Sequence, residues 1–270
     1  MEDLRFKKFQ RMIADGAYKN RKRVVYRLCD PLRSFYEQKI MKVAHAYVNT
    51  SKIVLDLGCG CGITTIFLGS YSKETVGLDF SERALIMAKE LCRKRNLLHK
   101  VSFVLGDAEQ TPFCSEHFDT VFFKDLLHHV SNPVAVINEI ARVCKTQGNV
   151  IGVEANGLNP EMFLVALFFR NERRMLTSTA VRTLQLFVVS DAYRDLSVKN
   201  EAVFFPFYTI GRLFTLVTPR RILLHFLEIV DHLENILGRS PLLPVSLFFV
   251  VAARKKASIT SQDFSLIKKL

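Results

Sequence analysis

The chain has 270 residues, 49% of them hydrophobic, with 22 Phe, no Trp and a formal net charge of +12. That length suits one α/β domain with an elaboration better than two complete domains, and the apolar content is ample for a large core. Uncharged runs at 202–211 and 241–253 fall short of the roughly eighteen apolar residues that a spanning helix needs. The opening residues, Met1 to Lys8, carry charge throughout and hold no apolar stretch of the signal-peptide type, so a cytoplasmic protein is expected.

The charge is unevenly placed. Residues 1–50 hold twelve Lys and Arg against five acids, 51–154 eleven against twelve, and 155–270 fifteen against nine. Basic flanks around a near-neutral centre suit nucleic acid, an anionic membrane surface or a phosphorylated substrate, beside the plainer reading of a solvated surface. Six cysteines (Cys29, Cys59, Cys61, Cys92, Cys114, Cys144) show no spacing of a disulfide frame or zinc site. Cys59 and Cys61 sit inside a glycine turn, where small side chains fit, so no metal site is expected. Reduced thiols agree with a cytoplasmic compartment.

In chain order, residues 1–30 are basic and weakly periodic, and Pro31 precedes an expected helix to Val48. Tyr18, Tyr26, Phe35 and Tyr36 interleave with Lys and Arg there and read as helix packing, or as cover for a bound ligand. Val54-Leu55-Asp56 ends a short strand, Gly58, Gly60 and Gly62 alternate after it, and a helix follows over 63–70. Strand, glycine turn and helix bring backbone close to a nucleotide-like ligand, because glycine tolerates positive φ and carries no Cβ. The open N–H groups at the helix start favour a carboxylate or phosphate. The dinucleotide fingerprint G-x-G-x-x-G fails at Ile63 and Thr65, and no Gly-Lys-Ser/Thr follows to make a phosphate loop.

The second strand, 74–79, ends in Asp79, twenty-one residues beyond Gly58. A carboxylate there can accept both hydroxyls of a ribose. A helix over 81–96 leads to a third strand, 101–105, followed by Gly106-Asp107-Ala108. A fourth strand is read at 118–123, a helix at 132–145 and a fifth strand at 149–154. Strands alternating with helices imply a parallel sheet with helices on both faces. Beyond Glu154 the pattern changes: a loop at 156–160, an apolar helix at 161–170, and a helix at 180–187 capped from Thr177-Ser178-Thr179. A strand at 202–209, interrupted by Pro206, belongs at an edge. Residues 221–237 form an amphipathic helix, with Leu223, Phe226, Leu227, Val230, Leu233 and Leu237 on its apolar face. A buried strand is read at 245–253.

Asp56-x-Gly58-x-Gly60-x-Gly62, the acid closing the second strand, the acid after the third and Phe118-Asp119-Thr120-Val121 fall in one order. That order resembles the class I S-adenosylmethionine (SAM) dependent methyltransferases. The resemblance is specific over 52–155 and looser elsewhere. It implies an α/β fold with a Rossmann-like, seven-stranded, mostly parallel sheet, an antiparallel last strand and helices on both faces. The sixth and seventh strands are then 202–209 and 245–253. One domain results: an N-terminal helical flank (1–50), a SAM-binding core (51–155), a mainly helical insert covering the substrate and holding the sixth strand (156–240), and a final strand with a tail (241–270). The implied cofactor contacts are Asp56, Gly58, Cys59, Gly60, Gly62, Asp79, Phe80, Asp107, Ala108 and Lys124. Of these, Asp79 takes the ribose, Asp107 the adenine amino group, and the glycine loop the methionine part, with Asp56 orienting that loop. Cys61 and Lys124 depart from the residues more common at their places.

Methyl transfer from a sulfonium mainly requires an acceptor held in line, and positioning lowers a barrier by about 7–11 kcal/mol at best. A general base is needed for a hydroxyl or carbon acid and adds about 10²–10⁴-fold. The candidate is His128, in Lys124-Asp125-Leu126-Leu127-His128-His129, just past the fourth strand. A third ligand that would make the two His a metal site is missing. The Asn/Asp-Pro-Pro-Tyr/Phe signature of amino-methylating nucleic-acid enzymes is absent, which argues against a nucleic-acid partner. The resemblance points instead to a small acceptor of quinone, lipid or glycan type, with the basic flanks as candidates for an anionic membrane surface. Oligomeric state is not legible. Two further classes share this architecture: a SAM-binding partner subunit without catalysis, and an NAD or nucleotide-sugar enzyme.

Overall fold

The computed structural model describes residues 52–159, 180–199 and 248–257, with single positions at 7, 38, 41, 45, 48, 222, 225, 226, 228, 229 and 232. The expectations over 19–23, 161–170 and 202–209 lie outside the described residues, as does most of 221–237.

Five strands follow the alternation read from the sequence: β1 (Ile53–Leu57), β2 (Glu74–Asp79), β3 (Val101–Leu105), β4 (Phe118–Lys124) and β5 (Cys144–Ala155). The helices between them are α1 (Ile63–Tyr71), α2 (Glu82–Lys94) and α3 (Pro133–Val143). The local signals are physical. Ser81 caps α2 by accepting from Ala84 N at 3.3 Å, with Glu82 in the first turn and Arg93 and Lys94 in the last, where they complement the helix dipole. Asn132 caps α3 through Ala135 N at 3.1 Å, and Pro133 occupies the first turn, where its missing N–H costs nothing.

The sheet order is β3-β2-β1-β4-β5-β7-β6, where α4 (Ala180–Val189) precedes β6 (Tyr193–Lys199) and β7 is Phe248–Lys255. The first five strands are parallel; β7 runs antiparallel to both β5 and β6. The seven-stranded, mostly parallel architecture is therefore as expected, with one correction. The sixth strand is Tyr193–Lys199, ahead of the expected 202–209. Its sequence, Tyr-Arg-Asp-Leu-Ser-Val-Lys, is charged, and its register slips between Arg194 and Ser197, with Asp195 at φ 53°. A bulged, charged edge strand discourages pairing with other chains.

Strand direction alternates side chains between two cores. Leu55, Leu57, Phe123, Ile137, Ile140, Phe187 and Phe249 fill one, beneath α3 and α4; Val54, Leu68, Phe122, Ile151, Val153 and Val250 fill the other, beneath α1. Met41 and Val48 join the second core, and Gln38, Met41 and His45 are helical. Helices thus cover both faces. In the later segment, Ile222, Phe226 and Ile229 are helical, with Phe226 half-buried and both isoleucines exposed.

Gly152 shows how tightly this core is set. It pairs with Phe123 across β4 and β5, and a Cβ there would lie 2.2 Å from the Phe123 ring. Replacing glycine ordinarily gains about 0.4–1 kcal/mol by restricting the unfolded chain, but Phe123 is fully buried and its ring cannot yield freely. Gly152→Ala is expected to lose about 1–3 kcal/mol through overpacking, read as a lower urea midpoint. An unchanged or higher midpoint would show that the ring moves at little cost.

Candidate functional site

The chain leaves β1 toward β2 and β3 on one side of the sheet, then returns to place β4 and β5 on the other. Between β1 and β4 the strand order reverses, and in open α/β sheets the crevice outside that reversal is where ligands bind. Every candidate side chain from the core lies at this edge.

The loop after β1 turns through three left-handed glycines: φ is 77° at Gly58, 52° at Gly60 and 77° at Gly62. Side chains would also collide. A Cβ on Gly62 would stand 2.7 Å from Ala88 Cβ, and one on Gly58 2.8 Å from Leu126 Cδ1. The second contact matters for function, because it sets the turn after β4 directly against the glycine loop. Gly58 N and Cys59 N both donate to the Leu78 carbonyl, at 2.8 and 3.0 Å. Asp56, 1% exposed, accepts from the Thr65 hydroxyl at 2.6 Å; it ties the loop to α1 from within. Cys59 packs against Gly77. Burial, with the charges of Asp56 and Asp79 adding to it, pushes its thiol well above the ordinary range, so it acts as a small apolar group.

Asp79 ends β2, nearly buried. Its Oδ2 accepts from Gly60 N at 2.8 Å and its Oδ1 from Ser81 N at 2.9 Å. One carboxylate thus joins the glycine loop to the start of α2, and a carboxylate has further lone-pair positions to offer hydroxyl donors. Phe80 follows in a bend, half-buried. Asp107 Oδ1 accepts from Glu109 N at 2.9 Å, its side chain is 45% exposed, and Ala108 beside it is buried.

Sequence reading missed what meets Asp107. Lys7 reaches across 100 positions to place Nζ 2.8 Å from Asp107 Oδ2 and 2.6 Å from Glu109 Oε2. Burial alone would lower the Lys7 pKa, but the hydrogen bonds it donates to the two carboxylates, with their charges, outweigh it and raise the value. Glu109 also accepts from Ser131 N, Ser131 Oγ and Asn132 N at 2.9, 2.7 and 3.0 Å. It therefore binds the loop after β3 to the start of α3. Burial works against its charge, yet these donors and Lys7 hold its carboxyl below the usual range.

At the end of β4, Lys124 Nζ is paired with Asp125 Oδ2 at 2.9 Å, and Asp125 adopts φ 51° while its N–H donates to the Val153 carbonyl. Burial opposes the Asp125 charge, but Lys124, then His128, keep the carboxyl low. The two adjacent histidines diverge as their spacing implies: His128 is buried, His129 exposed, with ring centroids 4.2 Å apart. His128 Nδ1 lies 2.9 Å from Glu154 Oε2. Glu154 is a second residue that sequence reading passed over. It lies one residue before the end of β5 with no exposure, and its Oε1 accepts from Leu126 N and Leu127 N, both at 2.8 Å. The signal that could have found it is a lone acid closing the apolar run Val150-Ile151-Gly152-Val153.

The structure thus gathers the glycine loop, Asp79, Phe80, Asp107, Lys124 and His128 along one sheet edge. Among the described residues no group of His, Cys, Asp and Glu could hold a metal ion, and no helix is long and apolar enough to cross a membrane.

Residues 55–152 match the family described as a methyltransferase domain. An uncharacterized methyltransferase of Schizosaccharomyces pombe is 32% identical over 171 residues, 58% of this chain and 62% of the relative. The demethylmenaquinone methyltransferase of Bacillus licheniformis is 36% identical over 123 residues, 43% of this chain and 51% of the relative. The chain therefore spans about half to three fifths of the length of these curated relatives. Among solved structures, the Haemonchus contortus phosphoethanolamine N-methyltransferase 2 in complex with S-adenosyl-L-methionine aligns at a TM-score of 0.58 with 17% identity. That alignment covers 82% of this chain and 53% of the other, a likeness of fold.

Proposed function

We propose that this chain, whose residues 55–152 belong to the class I SAM-dependent methyltransferase family, binds SAM at the C-terminal edge of its sheet and methylates a small, largely apolar acceptor. The observation that carries this reading is the contact between two halves of the edge. The glycine loop touches the turn after β4 at Leu126, two residues before a histidine already paired with a buried carboxylate. A cofactor site and a candidate base are thereby neighbours.

The residues fit the cofactor. The loop's three left-handed glycines admit a close backbone approach. We assign the ribose hydroxyls to Asp79 and the adenine amino group to Asp107, with Asp56 holding the loop through Thr65. Phe80, Ala108 and Lys124 complete the wall. When bound, SAM supplies a sulfonium-activated methyl group whose sulfur is left as a neutral thioether. The chain's own work is to hold the acceptor in line and, through His128 Nε2, to take the proton the acceptor gives up.

For the acceptor we propose a quinol-type ring. Demethylmenaquinone methyltransferases recur among the relatives, and a ring hydroxyl or carbon acid calls for a base where His128 stands. The apolar sequence of residues 156–240 is proposed to supply the surface that meets it. Titration calorimetry with SAM against NAD, then S-adenosylhomocysteine formation with a short-chain demethylmenaquinol, tests both halves. Tight NAD binding without SAM binding refutes the family's cofactor for this chain, and SAM binding without turnover leaves a binding subunit.

The basic run Lys19-Asn20-Arg21-Lys22-Arg23 is proposed to rest the protein on an anionic membrane and bring it to an apolar acceptor, inside the cytoplasm. Co-sedimentation with phosphatidylserine vesicles is expected at low salt and should fade as salt screens the charges. No binding at low salt would make the flanks ordinary surface.

A further inference from the structure

The proposed base is held by a residue whose burial is hard to explain by structure alone. Glu154 lies near the end of β5 between Val153 and Ala155, all three buried, with no exposure of its own. A carboxylate removed from water is costly unless its oxygens are all engaged. Its Oε1 is engaged by two backbone donors, Leu126 N and Leu127 N at 2.8 Å each. These donors would suffice to fix the turn after β4. The second oxygen, Oε2, does something else: it meets His128 Nδ1 at 2.9 Å.

From this we infer that Glu154 is a positioning residue, which fixes the tautomer of His128 with the proton on Nδ1 and so leaves Nε2 as the basic nitrogen. The inference rests on the reading of His128 as the base. Backbone N–H groups can only donate, so Oε1 must remain an acceptor and the carboxylate plane is set by the turn. A carboxylate is acceptor-only, and Oε2 therefore calls for a proton on Nδ1. In neutral imidazole the other nitrogen then carries the lone pair. When Nε2 gains a proton, the imidazolium forms 2.9 Å from a negative charge. The same relation orients metal-bound histidines through a carboxylate behind them; here it would serve proton transfer.

Glu154→Gln separates this role from a structural one. The glutamine oxygen can keep both backbone donors. A flipped amide would oppose its own N–H groups to those of Leu126 and Leu127, so the NH₂ is forced toward His128. It then donates to Nδ1, and the proton moves to Nε2. The variant keeps the turn and inverts the tautomer.

The chain has seven histidines, so ¹⁵N-histidine labelling with His128→Gln as the assignment control resolves the ring. In the parent protein at neutral pH, the two-bond ¹⁵N–¹H spectrum is expected to report Nδ1–H. In Glu154→Gln it should report Nε2–H, with SAM affinity within about twofold and turnover of a short-chain demethylmenaquinol at least tenfold lower. Among the described residues, the groups seen beside the ring are Glu154 from β5, Asp125 just past β4, and His129 alongside. Of these the variant removes only the Glu154 charge, so the His128 titration should move to lower pH. A parent ring protonated at Nε2 overturns the inference without any variant, and an unchanged tautomer in Glu154→Gln overturns it equally. A tautomer that inverts while turnover stays constant keeps Glu154's hold on the ring and refutes His128 as the base, so the two failures are distinguishable.

Discussion

Asp79→Ala is expected to weaken SAM binding by at least about 100-fold, which is roughly 2.8 kcal/mol. Each hydrogen bond to a charged group is worth about 1.5–3 kcal/mol, and a ribose presents two hydroxyls. The variant does a second thing. It releases Gly60 N and Ser81 N, which donate to the carboxylate at 2.8 and 2.9 Å, so the glycine loop and the start of α2 lose their common anchor. Lost affinity in Asp79→Ala therefore mixes a missing ligand contact with a loosened loop. Asp79→Asn separates them: its one carbonyl oxygen can keep one of the N–H donors, while the charge that a ribose hydroxyl would meet is gone. Titration calorimetry should find both variants weak, with the melting temperature lowered mainly in the alanine. SAM bound by Asp79→Ala as tightly as by the parent would remove this residue from the site.

The same residue shows why so much of the fold was readable. Parallel strands buried on both faces appear in sequence as short, nearly continuous apolar runs, and β1, β2 and β4 are of that kind. Each run ends where the chain turns back, and the acids at those ends mark the ligand edge. Helix starts were equally plain at Ser81 and at Asn132-Pro133. What stayed hidden has one physical character: its meaning depends on residues far along the chain. Tyr193–Lys199 is a strand because β7 pairs with it, despite a charged sequence and a slip at Asp195. Its Tyr193 hydroxyl finds the Ile137 carbonyl 56 positions away, at 2.5 Å. Glu154 reads as the last residue of a strand until the backbone of Leu126 and Leu127 and the ring of His128 are brought to it. Lys7 reads as one more basic residue in a basic flank until Asp107 and Glu109 face it. Periodicity reports burial; it does not report which buried charge answers which donor.

Removing the proposed base tests the chemistry itself. His128→Ala is expected to lower turnover of a quinol-type acceptor by about 10²–10⁴-fold, the usual contribution of a positioned base, while SAM affinity stays within about twofold. Alanine also leaves Glu154 Oε2 without its imidazole donor, and a buried charge that loses its partner costs stability. His128→Asn avoids that cost, since its amide nitrogen takes the place of Nδ1 and can donate to Glu154 Oε2. The two variants should share the loss of turnover but differ in melting temperature. The pH dependence then decides between a base and a spacer. With His128 present, activity should rise as the imidazole loses its proton and level off above that titration. Without it, only acceptor that has already ionised can react, so the rate should keep climbing with pH toward the acceptor's own pKa, about 10 for a phenol-like hydroxyl. The deficit of His128→Asn should therefore shrink at high pH. A deficit that is constant across pH would mean that the ring only positions the acceptor, and an unchanged rate at neutral pH would leave alignment at the sheet edge as the whole of the catalysis.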